Sequence, residues 1–141
     1  MDCIRLEFEV DGENFSSAGN ASERVKRTLK QIGVPAASVR RVAIAMYEGE
    51  INMVIHAHGG RAEVEIWPDR AEIWLKDRGP GIENIELAMK EGYSTASENI
   101  RSLGFGAGMG LPNIKKYTDV LKIDTEVGKG TTLNMKVYAN R

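Results

Sequence analysis

Residues 104–110 read Gly-Phe-Gly-Ala-Gly-Met-Gly and run directly into a helical pattern that begins at Leu111. Small residues with free backbone N–H groups at a helix N-terminus make an anion site that needs no basic side chain. This junction restricts the fold. A dinucleotide-binding fingerprint belongs after an early strand, within a βαβ unit of about 30 residues. Here the glycines come late, at the end of a stretch over 92–110 rich in Gly, Ser and Thr, and they alternate as GxGxG. The other common phosphate loop is absent too. Val127-Gly128-Lys129-Gly130-Thr131 lacks the upstream Gly and the Lys-Ser/Thr pair. A flexible linker is the plain alternative, and the helix starting straight after Gly110 counts against it.

The pattern around this junction predicts a two-layer α/β (α+β) sandwich. Ile4, Leu6, Phe8 and Val10 alternate with Arg5, Glu7 and Glu9, which reads as a half-buried strand. Asn20 or Ser22 is expected to cap a helix running to about Gly33, with Val25, Leu29 and Ile32 on one face. Pro35 and Ser38 open a second helix that runs to about His58 and is ended by Gly59-Gly60. Residues 61–67 and 71–76 alternate around Pro68-Asp69 and predict a β-hairpin. A tight turn over 77–82, a short helix over 83–91 and a long loop over 92–110 follow. A helix from Leu111 to Thr118 tolerates Pro112 in its first turn. Strands at about 120–126 and 131–138 are joined by Gly128-Lys129-Gly130. This order predicts a mixed, mostly antiparallel sheet with helices on one face. No repeat, linker or composition break interrupts it, so residues 1–141 are expected to form one domain.

Composition narrows the function. Hydrophobic residues make up 42%, enough for a real core, and the net charge is −1 with both signs interspersed. No basic footprint argues for nucleic acid or an anionic membrane. No apolar run approaches the roughly 18 residues of a membrane helix, and the N-terminus is unlike a signal peptide. Cys3 is the single cysteine, which fits a reducing compartment, and the chain is expected to be cytoplasmic. Cys3, His56 and His58 match no zinc spacing.

Two further segments carry chemistry. At 100° per residue, Ile44, Tyr47, Ile51, Val54 and Ile55 form the apolar stripe of the second helix. Beside it runs a polar or small band of Arg41, Ala45, Glu48, Gly49, Asn52 and His56. Glu48 and Asn52 are one turn apart and project together, an anion beside a neutral carbonyl oxygen, suited to a cation with a water or hydroxyl. Ala45 and Gly49 would let a ligand approach the backbone, which would offset the roughly 1 kcal/mol cost of a mid-helix glycine. An amphipathic core helix with a wet polar edge explains the same residues. Asp77, at a strand end, can accept from an exocyclic amine, and Gly79 and Gly81 let a flat ring lie against the backbone. An ordinary Asp-Gly-Pro turn explains that segment equally.

In chain order, Glu48-x-x-x-Asn52, Asp77-x-Gly79-x-Gly81, Gly106-x-Gly108-x-Gly110-Leu111 and Gly128-x-Gly130-Thr131 resemble the N, G1, G2 and G3 boxes of GHKL (histidine kinase-like) ATPases, which have the Bergerat fold. The match spans about residues 38–138. Within that superfamily the chain is similar to the anti-sigma-factor and switch serine/threonine kinases of bacterial partner switching, and Glu91-Gly92-Tyr93-Ser94-Thr95 strengthens the likeness.

The resemblance implies ATP and Mg²⁺ as cofactors. Asn52 would ligate Mg²⁺, and Glu48 would act as general base or orient the acceptor hydroxyl. Asp77 would bind the adenine amine, with Gly81 beneath the ring and Thr131 or Thr132 nearby. Gly106, Gly108 and Gly110 would wrap the phosphates, and residues 92–105 would form a lid. Gly79, Ile82, Ser94, Thr95, Gly104, Met109 and Leu111 complete the nucleotide set. Arg101 or Lys115 would meet the γ-phosphate. The implied activity is phosphorylation of a Ser or Thr on a STAS-domain anti-anti-sigma-type protein. The alternative is an ATP-gated binder of a sigma factor or phosphatase, and a homodimer is compatible with either. Glu50 and the Pro112-Asn113 pair depart from the family pattern.

Overall fold

A computed structural model describes residues 3–12, 18–57, 59–79, 81–82, 89 and 110–139. Its elements are β1 (Ile4–Asp11), α1 (Asn20–Gln31), α2 (Ala36–Ala57), β2 (Gly59–Ile66), β3 (Arg70–Asp77), α3 (Gly110–Tyr117), β4 (Val120–Glu126) and β5 (Gly130–Tyr138). The strands make one sheet in the order β1-β2-β3-β5-β4. Every ladder among them is antiparallel, so the sheet is not mixed over the described residues. Apart from Met89, the helix expected over 83–91 and the loop over 92–109 lie outside the described residues.

Strand alternation sets the two faces, because successive side chains point to opposite sides. Val64 pairs with Ile73, and Ile73 with Met135, so the inward rows run across the sheet in register. Ala62, Val64, Ile66, Ala71, Ile73, Leu75, Leu133, Met135 and Val137 are buried on that face beneath the helices. The opposite face carries charge. Arg61 pairs with Glu7, with Glu9 at 3.2 Å and with Glu63 at 3.6 Å, and Lys76 pairs with Glu63 at 2.6 Å.

α2 lies centrally, touching α1, α3 and four strands. Its buried face is Val39, Val42, Ala45, Met46, Met53 and Val54, with Ile51 also buried. This corrects the expected stripe. Ile44 and Ile55 are only half-buried, and Tyr47 is 41% exposed. Burial wraps around a helix packed on several sides, so one stripe misdescribes it. Gly49 is corrected as well. A Cβ there would stand 2.2 Å from Leu75 Cδ1 and 3.7 Å from Ile114 Cδ1. The missing side chain lets α2 settle onto β3, and core atoms rather than a ligand fill the space.

Glu50 answers a question the sequence left open. It sits in mid-α2 at 2% exposure. Its carboxylate accepts from the backbone N–H groups of Gly19 at 2.9 Å, Ala21 at 3.2 Å and Ser22 at 3.0 Å. Those are donors at the first turn of α1, where an α-helix leaves N–H groups without internal partners. α1 is therefore capped from α2. Neither Asn20 nor Ser22 performs the expected capping: Gly19 is the N-cap, in a left-handed conformation with φ 96°, and Ser22 Oγ donates to Gly19 O at 2.9 Å. At the N-terminal end of α2, Arg41 pairs with Asp119 at 2.9 Å, and Ser38 Oγ donates to Ala139 O at 2.8 Å.

Candidate functional site

The candidate site gathers where α2 meets α3 and where β3 ends. Glu48 and Asn52 are both half-buried on α2. Burial pushes the Glu48 carboxyl above its ordinary value of 4.5, because desolvation disfavours the charged form. The nearby Asn113 side chain on α3 opposes that shift. Asn113 follows Gly110, the first residue of α3 and the last glycine of the Gly104–Gly110 stretch. The loop-to-helix junction thus lies on the helix packed against α2. Leu111 is buried in the core cluster and anchors the first turn of α3. Lys115 is exposed and about 200° around the helix from Asn113, so it does not share the side facing Glu48.

Asp77 ends β3 on the inward face. Its Oδ1 accepts from Gly79 N at 2.9 Å and from Thr131 N at 3.0 Å. Thr131 is buried, and its Oγ1 lies 2.8 Å from Thr125 Oγ1, which accepts from Ile82 N at 2.9 Å. One network therefore holds the end of β3, the turn that follows it, and the β4–β5 hairpin. Gly81 has φ 81°, and a Cβ there would fall 2.6 Å from Glu126 O. Gly130 has φ 129°, and a Cβ there would fall 2.3 Å from Asp77 O. Both positions need glycine for conformation and for space. Backbone of neighbouring segments takes the space a side chain would need at both glycines, and the Asp77 Oδ2 accepts no hydrogen bond among the described residues.

The expected site residues divide into groups. Asp77, Gly79, Gly81, Ile82 and Thr131 come together at one end of the sheet, and Glu48 and Asn52 lie on the helix above it. Thr132 does not join them. It pairs with Lys76 and so points to the charged outer face, away from Asp77. Ser94, Thr95, Arg101, Gly104, Gly106, Gly108 and Met109 lie outside the described residues. Sequence reasoning missed that Asn113 lies near enough to Glu48 to oppose its shift. Its only signal was an amide three residues past the last glycine. It also missed Thr125, a strand residue with no distinguishing neighbour.

Among the described residues, no group of three or more His, Cys, Asp or Glu stands together as a metal cluster, and no helix is long and apolar enough to cross a membrane.

Comparison with known proteins agrees with this fold. Residues 14–137 match the model of the histidine kinase-like ATPase domain. The chain is 30% identical over 135 residues to the serine/threonine-protein kinase RsbT of Bacillus subtilis (strain 168), covering 93% of this chain and 91% of the relative. It is 35% identical over 142 residues to an anti-sigma F factor of Clostridium acetobutylicum, covering 94% and 91%. In fold it is similar to the mycobacterial sensor histidine kinase MprB, with a TM-score of 0.52 at 17% identity, covering 96% of this chain and 97% of that one. An antiparallel sheet under helices, four glycine and carboxylate boxes in order, and a family match over most of its length converge: the chain belongs to the histidine kinase-like ATPase domain family.

Proposed function

We propose that this chain is a cytoplasmic, Mg²⁺-dependent protein serine/threonine kinase of a bacterial partner switch. Its 141 residues act as one ATP-binding kinase domain, and its acceptor is a Ser or Thr hydroxyl on a STAS-type antagonist protein. The observation that carries this reading is Glu48, a half-buried carboxylate one turn from Asn52 whose proton affinity burial raises. Nucleotide binding alone does not require an anion there. The names of the relatives, a serine/threonine-protein kinase and an anti-sigma factor, support the pathway.

The roles follow from the chemistry of each group. Asp77 spends Oδ1 on its own turn and offers Oδ2 to the adenine amine, with the Gly81 backbone beneath the ring. Gly106, Gly108 and Gly110 would wrap the phosphates with backbone N–H groups. Asn52 fits Mg²⁺, which takes few protein oxygens and fills its shell with phosphates and water. The metal would neutralise phosphate charge. The acceptor oxygen then bonds to the γ-phosphorus, the bond to the β–γ bridging oxygen breaks, ADP leaves, and Glu48 orients the hydroxyl and takes its proton. Burial raises the proton affinity of Glu48, which suits that task.

The test is single-turnover transfer from γ-labelled ATP to the STAS-domain protein encoded nearest to this chain, with ATP affinity measured in parallel. Glu48→Gln is expected to slow transfer at least about 100-fold, the lower bound for a positioned base, with ATP affinity nearly unchanged. Transfer by the wild type that Glu48→Gln leaves intact removes Glu48 from the chemistry. No transfer by the wild type retires the kinase and favours an ATP-gated binder of a sigma factor or phosphatase.

A further inference from the structure

One hydroxyl ties three segments together at the end of the sheet. Thr125 on β4 stands opposite Thr131 on β5, on the inward face of the ladder. Its Oγ1 accepts from Ile82 N at 2.9 Å, lies 2.8 Å from Thr131 Oγ1 and lies 3.4 Å from Gly130 O. A threonine hydroxyl has a single proton to give and two lone pairs to receive with. The Ile82 N–H takes one lone pair of Thr125. The Thr125 proton has two acceptors within reach, and distance chooses between them. Hydroxyl bonds to oxygen fall at about 2.5–3.0 Å, so Thr131 is the better acceptor and Gly130 O is too far for more than a weak bond. Thr125 therefore donates to Thr131. In the reverse order Thr131 would donate, and the Thr125 proton would be left with the long contact alone.

The proton of Thr131 is then uncommitted. Thr131 is buried, and no other acceptor among the described residues bonds its Oγ1. Its neighbour is Asp77, whose Oδ1 accepts from Thr131 N at 3.0 Å and whose Oδ2 accepts no hydrogen bond among the described residues. A free acceptor and a free donor thus belong to neighbouring groups. Adenine presents their complement, an amine donor on the carbon next to a bare ring nitrogen. Guanine and hypoxanthine present the reverse, a carbonyl oxygen next to a ring N–H. We propose that Thr125 is a positioning residue for base recognition: by donating to Thr131, it leaves the Thr131 hydroxyl to donate to the ring nitrogen while Asp77 accepts from the amine. The inference rests on the reading of Asp77 as the adenine-binding carboxylate, not on phosphoryl transfer, and adds a group that acts through Thr131.

The experiment is calorimetry on the full chain with three nucleotides: ATP, inosine triphosphate, and 1-deaza-ATP, which keeps the amine and has C–H in place of the ring nitrogen beside it. The proteins are wild type, Thr125→Ser, Thr125→Val and Thr125→Asp. Wild type is expected to prefer ATP to 1-deaza-ATP about fivefold, the worth of one ordinary hydrogen bond. Thr125→Ser keeps the hydroxyl and keeps that ratio. Thr125→Val has nearly the shape of threonine but no proton to give, so the Thr131 hydroxyl loses its direction and the ratio falls to about twofold or less. Thr125→Asp can only accept. It takes the Thr131 proton for itself, the ratio falls to near one, and it decides the question if the valine variant does not fold. Its added charge weakens both nucleotides alike and leaves their ratio to report on the ring nitrogen. A side chain that merely holds the turn in place would lower both affinities together and leave the ratio intact. A ratio undiminished in Thr125→Val or in Thr125→Asp, or lost in Thr125→Ser, overturns the inference. So does a wild type that prefers ATP to inosine triphosphate but binds ATP and 1-deaza-ATP equally, a result that leaves Asp77 in its role. Equal wild-type affinity for ATP and inosine triphosphate overturns the adenine reading of Asp77 and this inference together.

Discussion

Removing the Glu50 carboxylate should uncap α1 and destabilise the whole fold. Three backbone N–H groups, of Gly19, Ala21 and Ser22, converge on one buried side chain. A hydrogen bond to a charged acceptor contributes about 1.5–3 kcal/mol, so three at the low end approach about 4–5 kcal/mol. Glu50→Ala also abolishes the cost of burying a carboxylate, which offsets part of that loss. What remains is the unpaired state of the two most buried donors, Ala21 and Ser22, at about 1–3 kcal/mol each. Glu50→Ala is therefore expected to cost roughly 3–4 kcal/mol. Glu50→Gln keeps one oxygen. Its best arrangement sets that oxygen on Gly19 and Ala21 and turns its NH₂ toward the Ser22 N–H, a loss of about 2 kcal/mol. Urea unfolding followed by circular dichroism gives both values, and hydrogen exchange at Ala21 and Ser22 localises them. A Glu50→Ala loss below about 1 kcal/mol, or unchanged protection at those two amides, refutes the cap, because exposed substitutions without such a role fall near that range.

Asp77→Asn should separate fold from nucleotide choice. The amide oxygen still accepts from Gly79 and Thr131, so the unfolding midpoint holds, while its NH₂ replaces Oδ2 and faces the adenine amine donor. ATP affinity measured by calorimetry should fall by about 1–3 kcal/mol, and unchanged affinity removes Asp77 from adenine recognition. Glu48 should cost stability at neutral pH. Its folded-state pKa is raised above 4.5, so the unfolded chain releases this proton first, and stability is lost as pH rises through that range toward the folded value. Glu48→Gln is then expected to be more stable than wild type at pH 7 and to lose that advantage at pH 4. Urea melts at both values test this, and a variant less stable at pH 7 contradicts the burial argument.

Much of this molecule was legible wherever one residue's surroundings follow from its neighbours in sequence. Ala62, Val64 and Ile66 against Arg61, Glu63 and Glu65 declare an inner and an outer face, and the structure has them so. Asp77 and its glycines were legible because a turn at a strand end is local chemistry. Long-range features were not. Glu50 looks like a surface residue until α1 is docked, since backbone N–H groups 28–31 residues away carry no side-chain signature. Thr131 and Thr132 differ only in parity, and only the ladder with β3 decides which one shares a face with Asp77. The apolar face of α2 was misjudged because Ile44 and Tyr47 at the rim have the same composition as a core.

The charged outer face of the sheet bears on how copies of this chain behave toward one another. β1 is an edge strand, so one side of its backbone has no partner strand within the sheet. Such an edge is a template for runaway strand addition unless something blocks it. The outward row of β1 is Arg5, Glu7, Glu9 and Asp11. Two copies meeting antiparallel about Glu7 would set Glu7 against Glu7 and Arg5 against Glu9, and meeting about Phe8 would set Glu7 against Glu9 and Arg5 against Asp11, but Arg5 is already paired with Glu65 at 3.1 Å in its own molecule. Arg61, which gathers Glu7 and Glu9 within one molecule, is already engaged and cannot relieve that repulsion in a second. The same acidic row that pins β1 to β2 thus guards the edge against aggregation.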